Sequence, residues 1–346
     1  MLSRPRAPSS LLRSCVAVRA RALVTALAAL CIVAGACKRE SPPEPASTPP
    51  RPVAVQPAAA ASLSERISRP VAPRIVAIGD LHGDMGAVRR ALRLAGAIDA
   101  SNKWIGGSLI VVQTGDQIDR GDDDRAILDA FDKWADEAKA AGGELLSLLG
   151  NHEIMNVMLD FRYVTPGAYT TFADVKADTP FGADAAGQFG EKARGRVLAF
   201  APGGTYAKRL AQRPVIARIG DSVFVHGGLL DKHITYGLDL ANDEVRAFLN
   251  GKVGKSPAIV TGEDGLVWLR TYSQDPTPTE CASLRQALSR LNAKRLVVGH
   301  TVQDKKITQA CDGAVHRIDV GMSSYYRGPI SVLEIKGDAV TPLVEK

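Results

Sequence analysis

The chain has 346 residues, 45% hydrophobic and 23% charged, with 43 Lys and Arg against 37 Asp and Glu. That balance excludes a disordered chain, a collagen-like fibre and a polytopic membrane protein, and it allows one large globular domain or two smaller ones. The formal charge of +6 is local: Arg4, Arg6, Arg13, Arg19 and Arg21 precede residue 37 with no acid among them, and without them 38 basic side chains face 37 acidic ones. The remainder is nearly neutral, so no nucleic-acid partner is expected.

The basic start runs into an apolar stretch over 22–36, the order of an export signal. The stretch is shorter than the roughly 20 residues of a membrane span. It ends Ala34-Gly35-Ala36-Cys37. Small residues before a Cys resemble a bacterial lipobox, although Leu is usual where Ala34 stands. Acylation of Cys37 is the implication; ordinary cleavage with Cys37 a bystander is the alternative. Residues 1–37 therefore read as a signal peptide, and 38–73 as a Pro/Ala-rich linker, extended and partly polyproline-like. The expected location is the bacterial periplasm or cell envelope, with the membrane reached through a lipid on Cys37. The folded domain is expected over 74–340.

The run Ile75-Val76-Ala77-Ile78 predicts a strand leading into Gly79-Asp80. Helical spacing follows over 85–95, then a strand over 108–112 ending at Thr114-Gly115-Asp116. An amphipathic helix over 125–140 stops at Gly142-Gly143, and a third strand over 144–149 ends at Gly150-Asn151-His152. Strand, helix, strand, helix, strand argues for a largely parallel sheet, whose functional edge is the carboxyl ends of its strands. The pattern weakens from 160 to 214, where helices over 183–200 and 205–212 suggest an insert over the site. Strands over 215–219 and 222–225 lead to His226-Gly227-Gly228. Helices over 243–249 and 279–291 precede a strand over 295–298 that ends Gly299-His300. Late strands over 306–309, 314–319 and 330–335 have the spacing of an antiparallel meander. The fold class is α/β: a sandwich of two mixed sheets flanked by helices, with a helical insert.

Asp80, His82, Asp116, Asn151, His226 and His300 all follow apolar runs beside a Gly. One Gly-Asp after a strand is an ordinary turn; six oxygen and nitrogen donors at successive strand ends suit a pair of first-row metals. With no Cys among them, a structural thiolate zinc site is excluded. Gly79-Asp80-Leu81-His82-Gly83, the segment from Gly115 to Gly121, Gly150-Asn151-His152-Glu153, His226-Gly227-Gly228 and Gly299-His300 resemble the signature series of calcineurin-like metallophosphoesterases, within the phosphoprotein phosphatase superfamily. Asn151-His152-Glu153-Ile154-Met155-Asn156, Arg162-Tyr163-Val164, Val298-Gly299-His300-Thr301 and the stretch Ile318-Asp319-Val320-Gly321-Met322-Ser323 resemble its Shewanella-like branch. The resemblance spans 74–335 and implies a metallophosphoesterase-type sandwich.

Residue by residue, the resemblance assigns one metal to Asp80, His82 and Asp116, and a second to Asp116, Asn151, His226 and His300, with Asp116 bridging. The cofactors implied are two divalent ions, manganese first and iron or zinc as alternatives. A hydroxide between them is the implied nucleophile. His152 is the implied proton donor to the leaving oxygen, oriented by Asp119; such help is worth about 10²–10⁴-fold. Arg120 is the first candidate to clamp phosphate oxygens, with Arg270 and Arg162 as further candidates; a surface Arg after a buried Trp is the plainer alternative for Arg270. His233 and His316 carry no motif and are expected at surface or strand positions. Cys281 and Cys311 form an even pair in an exported domain, which favours a disulfide; two separate thiols are the alternative.

The expected activity is hydrolysis of phosphomonoesters, with phosphoproteins as partners. The same-fold alternative hydrolyses nucleotides or dinucleoside polyphosphates. The alternative of another class is a metal-binding surface lipoprotein without catalysis, which the complete donor and acid set argues against.

Overall fold

In a computed structural model of the chain the described residues are 63–177 and 180–346. The expected signal peptide, Cys37 and most of the expected linker lie outside them. The elements in chain order are β1 (Ser68–Arg69), β2 (Ile75–Ile78), α1 (Met85–Leu94), β3 (Ile110–Gln113), α2 (Asp124–Ala140), β4 (Glu144–Ser147) and α3 (Asn151–Val157). Then come α4 (Pro166–Thr170), α5 (Pro180–Ala186), α6 (Glu191–Phe200), α7 (Thr205–Leu210), β5 (Ile216–Ile219), β6 (Ser222–Val225), α8 (Asp231–Tyr236), α9 (Leu238–Leu249) and α10 (Ala258–Thr261). The last are α11 (Pro278–Arg290), β7 (Arg295–Val298), β8 (Thr308–Ala310), β9 (Val315–Arg317), β10 (Ser331–Lys336) and β11 (Ala339–Val344).

Two mixed sheets form, in the orders β11-β10-β2-β3-β4 and β1-β5-β6-β7-β9-β8. The central strands β2, β3, β6 and β7 are apolar, save one polar end residue in each of the last three, because both faces are covered. In β2, Ile75 and Ala77 join the core between the sheets, where Phe224 and Val297 meet Val112 and Leu333. Val76 and Ile78 point the other way, against Val88, Leu92 and Phe131 of α1 and α2. In β7, Val297 faces inward while Leu296 and Val298 pack under α11 through Leu284 and Leu288. Each such aliphatic side chain contributes about 1.5–3 kcal/mol on burial. Thr277 and Glu280 close a reciprocal capping box on α11, with Pro278 at its first turn, so its start is fixed locally.

Several expectations are corrected. The folded part begins before Arg74: Ile67 is 1% exposed, and Ser68 and Arg69 pair in parallel with Arg218 and Ile219. The surrounding Ala/Pro composition hides this short apolar anchor. It also runs past residue 340, since β11 extends to Val344. The late meander does not form. β8 and β9 pair antiparallel, but β9 lies parallel to β7 and β10 belongs to the other sheet, antiparallel to β2. Alternation specifies the face each side chain takes, not which strand lies alongside. The helix expected over 183–200 is two, broken at Gly187 and Gly190, and the one expected from 243 starts at Leu238. Cys281 and Cys311 are bonded, tying α11 to the β8–β9 turn. Among the described residues no helix is long and apolar enough to cross a membrane.

Candidate metal centre

Register places the donors. Ile78, Gln113 and Ser147 are neighbours across β2, β3 and β4, and Val225 is the partner of Val298 across β6 and β7. The loops after these five strands therefore meet at one edge. Their backbones are contorted: His82, Asp116, Asp119, Arg120 and His300 have φ between 46° and 69°. Non-glycine residues there cost on the order of 1–3 kcal/mol each, and such strain concentrates at functional sites. Glycine is required where those loops touch: a Cβ on Gly299 would stand 2.5 Å from Asp80 Oδ1.

His226 donates its Nδ1–H to the Thr114 carbonyl at 2.9 Å, because a carbonyl can only accept. Its Nε2 is then a bare lone pair. It faces Asn151 Oδ1 at 3.0 Å, His300 Nδ1 at 3.1 Å and Asp116 Oδ2 at 3.2 Å. At most one of those contacts is a hydrogen bond. His82 repeats the arrangement: Nδ1 donates to the Ile118 carbonyl at 3.3 Å, and Nε2 lies 3.8 Å from Asp80 Oδ2 and 3.9 Å from Asp116 Oδ2. His300 Nε2 is buried with no hydrogen-bond partner. Lone pairs packed this way repel unless cations sit among them, so the residues fit divalent metals. Two donor groups result, His82 with Asp116 and His152, and Asp116 with His226 and His300. They share Asp116, as a bridging carboxylate would.

Electrostatics agrees. Burial lowers His82 to about 3 and His300 to about 2, leaving both imidazoles neutral, the form that binds metal. Burial, then Asp319 and Asp116, push the Asp80 carboxyl well up. Burial alone would raise Asp116, yet positive charge at the His226 and His152 positions holds it well below the usual carboxylate range, the part that bound cations would take.

His152 stands at this edge with its Nδ1 2.7 Å from Asp119 Oδ2. Burial works against its charge, but Asp116 and the Asp119 bond raise it above the usual value. Cations on Asp116 would cancel the first pull and leave the second. Because Asp119 occupies Nδ1, His152 has only Nε2 to offer to a substrate. Arg120 and Arg270 line the same cavity, about 150 Å³, with Tyr163, Trp268 and Tyr326. The Arg120 guanidinium lies 4.5 Å over the Tyr163 ring. Arg270 donates to the His300 carbonyl at 3.0 Å and to Thr301 Oγ1 at 2.8 Å. Arg162 is corrected: it does not line the cavity, its side chain is 65% exposed, and Asp160 holds its guanidinium at 2.6 Å. His233 is buried rather than superficial, accepting from Leu230 N at the start of α8.

The calcineurin-like phosphoesterase family model matches residues 73–304. Shewanella-like protein phosphatase 2 of Arabidopsis thaliana is 43% identical, over 82% of this chain and 79% of that protein. The chain is a calcineurin-like phosphoesterase of the Shewanella-like protein phosphatase type. A Plasmodium berghei relative, Shewanella-like protein phosphatase 1, is 31% identical over 79% of this chain and 75% of its own. A crystal structure named as a cold-active protein-tyrosine phosphatase of a psychrophilic Shewanella superposes with a TM-score of 0.64 at 25% identity, covering 81% of this chain and 82% of that one. The enzyme is thus a phosphatase, built on the expected mixed α/β sandwich.

Sequence reasoning missed several residues of this phosphatase. Glu153 accepts the backbone N–H groups of Asp116, Gln117 and Gly150 at 2.8–2.9 Å, pinning two ligand loops together. Its place beside His152 was the available signal. Asp319 is buried with Oδ2 unpartnered, and burial raises it to about 6; its motif was quoted without a role. Arg196 touches Asp119 from α6, and nothing local in the sequence marks it.

Proposed function

We propose that this phosphatase is exported and hydrolyses phosphomonoesters on proteins with two divalent cations, manganese first among them. Asp80, His82 and Asp116 would hold one, and Asp116, Asn151, His226 and His300 the other. Bound there, the cations supply Lewis-acid activation of water and neutralise phosphate charge. Arg120 and Arg270 grip phosphate oxygens from the cavity wall. His152 delivers a proton from Nε2 to the leaving oxygen while Asp119 keeps its Nδ1 occupied. The observation that carries the reading is the convergence of His82, Asp116, Asn151, His226 and His300 lone pairs around one shared carboxylate.

The substrate end is narrow. The cavity at the donors is about 150 Å³ and shares Trp268 and Arg270 with a larger one of about 980 Å³, so a phosphorylated side chain fits at the donors and the larger space suits the peptide that carries it. The Tyr163, Trp268 and Tyr326 rings on its wall suit an aryl ester, and the similar solved phosphatase is named for tyrosine. The test is turnover of phosphotyrosyl and phosphoseryl peptides, ATP and a dinucleoside polyphosphate, by chelated enzyme reloaded with manganese, iron or zinc. Phosphotyrosyl peptide should turn over fastest and only with metal; a faster nucleotide would overturn the substrate reading. For placement, acylation of Cys37 with cleavage before it anchors the enzyme in the envelope. Mass spectrometry of the mature N-terminus checks this, and an unmodified Cys37 removes the lipoprotein reading while leaving export standing.

A further inference from the structure

Asp119 has two carboxylate oxygens with different duties. Oδ2 meets His152 Nδ1 at 2.7 Å. Oδ1 is already taken, by Asn156 Nδ2 at 3.0 Å and by Arg196 Nη2 at 3.1 Å. Arg196 lies on α6, 77 residues from Asp119 in sequence, and is fully buried. Its remaining contacts are Nε to Asn156 Oδ1 at 2.8 Å, Nη2 also to Asp124 Oδ2 at 2.6 Å, and Nη1 to the Ala168 carbonyl at 3.4 Å. Asp124 Oδ1 in turn accepts the backbone N–H of Asp119 at 2.9 Å. One guanidinium therefore fixes the Asp119 carboxylate directly and its backbone through Asp124. It also fixes the Asn156 amide, whose Oδ1 must face Arg196 and whose Nδ2 must then face Asp119 and the His152 carbonyl. The rings of Phe172 and Phe200, 5.3 and 5.0 Å from the guanidinium carbon, close the space around it.

We propose that Arg196 is a positioning residue for proton donation by His152, so that the helical segment after Asp160 supplies part of the catalytic apparatus and not a cover alone. The proposal rests on His152 as proton donor. With Oδ1 saturated by two donors, Asp119 offers only Oδ2 to the imidazole, and the ring is held with Nδ1–H inward and Nε2 toward the cavity. A counter-ion with one donor would balance charge without selecting that orientation.

The experiment uses the full-length, metal-loaded enzyme and a series of aryl phosphates with leaving groups of rising basicity. The variants are Arg196→Lys and the charge-balanced pair Arg196→Met with Asp124→Asn, each alone and combined with His152→Asn. The pair removes one buried cation and one buried anion together, so it guards against a fold that fails for net charge. Expected is a kcat loss within about threefold for the best leaving group and about 10–100-fold for the worst, with KM and bound metal unchanged. On the His152→Asn background the pair should add nothing. A loss equal across the series, or one that multiplies the His152→Asn loss, overturns the proposal while a sloped His152→Asn series keeps the donor reading. Full recovery by Arg196→Lys reduces the residue to a counter-ion and also overturns it. A flat series for His152→Asn itself overturns the donor reading, and the proposal with it.

Discussion

The loops at the strand ends and the helical stretch between residues 160 and 214 meet at one site but are built on different principles. The loops are short, strained and dense in donors: five of their site residues hold positive φ, and their side chains face one another across register-matched strands. Among the described residues of the helical stretch, only the Tyr163 ring lines the cavity. It contributes through burial, with Phe172 meeting Phe200 and Tyr206 edge to face and with the Phe172 and Phe200 rings beside the arginine that reaches Asp119. The difference is one of range. A ligand loop is a local object, fixed by a strand, a glycine and a turn, whereas the support behind it exists only once distant helices have packed.

The comparison breaks most sharply at the shared carboxylate. Asp116→Asn and His226→Ala should each abolish hydrolysis of an activated aryl phosphate and lower bound metal below two per chain, read by elemental analysis. Full metal with normal turnover in either variant would remove the ligand assignment. One step down, His152→Asn should keep both metals and lose about 10²–10⁴-fold on poor leaving groups, with far less on good ones. A leaving-group series measures this, and a uniform loss would argue that His152 serves as a ligand.

In the helical stretch the expected effect moves from rate to stability. Phe172 is fully buried, so Phe172→Ala should cost about 3–5 kcal/mol, read by denaturant unfolding. Protein that stays folded at low temperature should retain its metal. Metal loss matching the Asp116→Asn variant would mean that the two regions are not separable. The smallest effect is expected at Arg162, exposed and paired with Asp160. Arg162→Ala should change turnover by less than about twofold and leave the denaturant midpoint unmoved. A KM rise of tenfold would return Arg162 to the phosphate site.

Asp80, His82, Asp116, Asn151, His226 and His300 were legible in the sequence because each ends an apolar run beside a glycine, and strand ends in a parallel sheet share an edge. His152 was legible at the same edge because it follows Asn151 directly, and its pairing with Asp119 came from the family resemblance. The Cys281–Cys311 bond followed from counting thiols, and the structure joins them. Arg162 was misplaced because its neighbours in sequence say nothing of where its guanidinium points.

Local chemistry alone determined the strands, most helices and the inventory of donors, since apolar period, caps and glycine act within a few residues. Tertiary structure decided the rest. It sent β10 to one sheet and β9 to the other, and it drew Ile67 out of a Pro/Ala-rich stretch into the core. It also carried Arg196 across 77 residues to Asp119. Those choices follow from which buried surfaces and buried charges can be satisfied together, and that is a property of the packed chain, not of any segment read by itself.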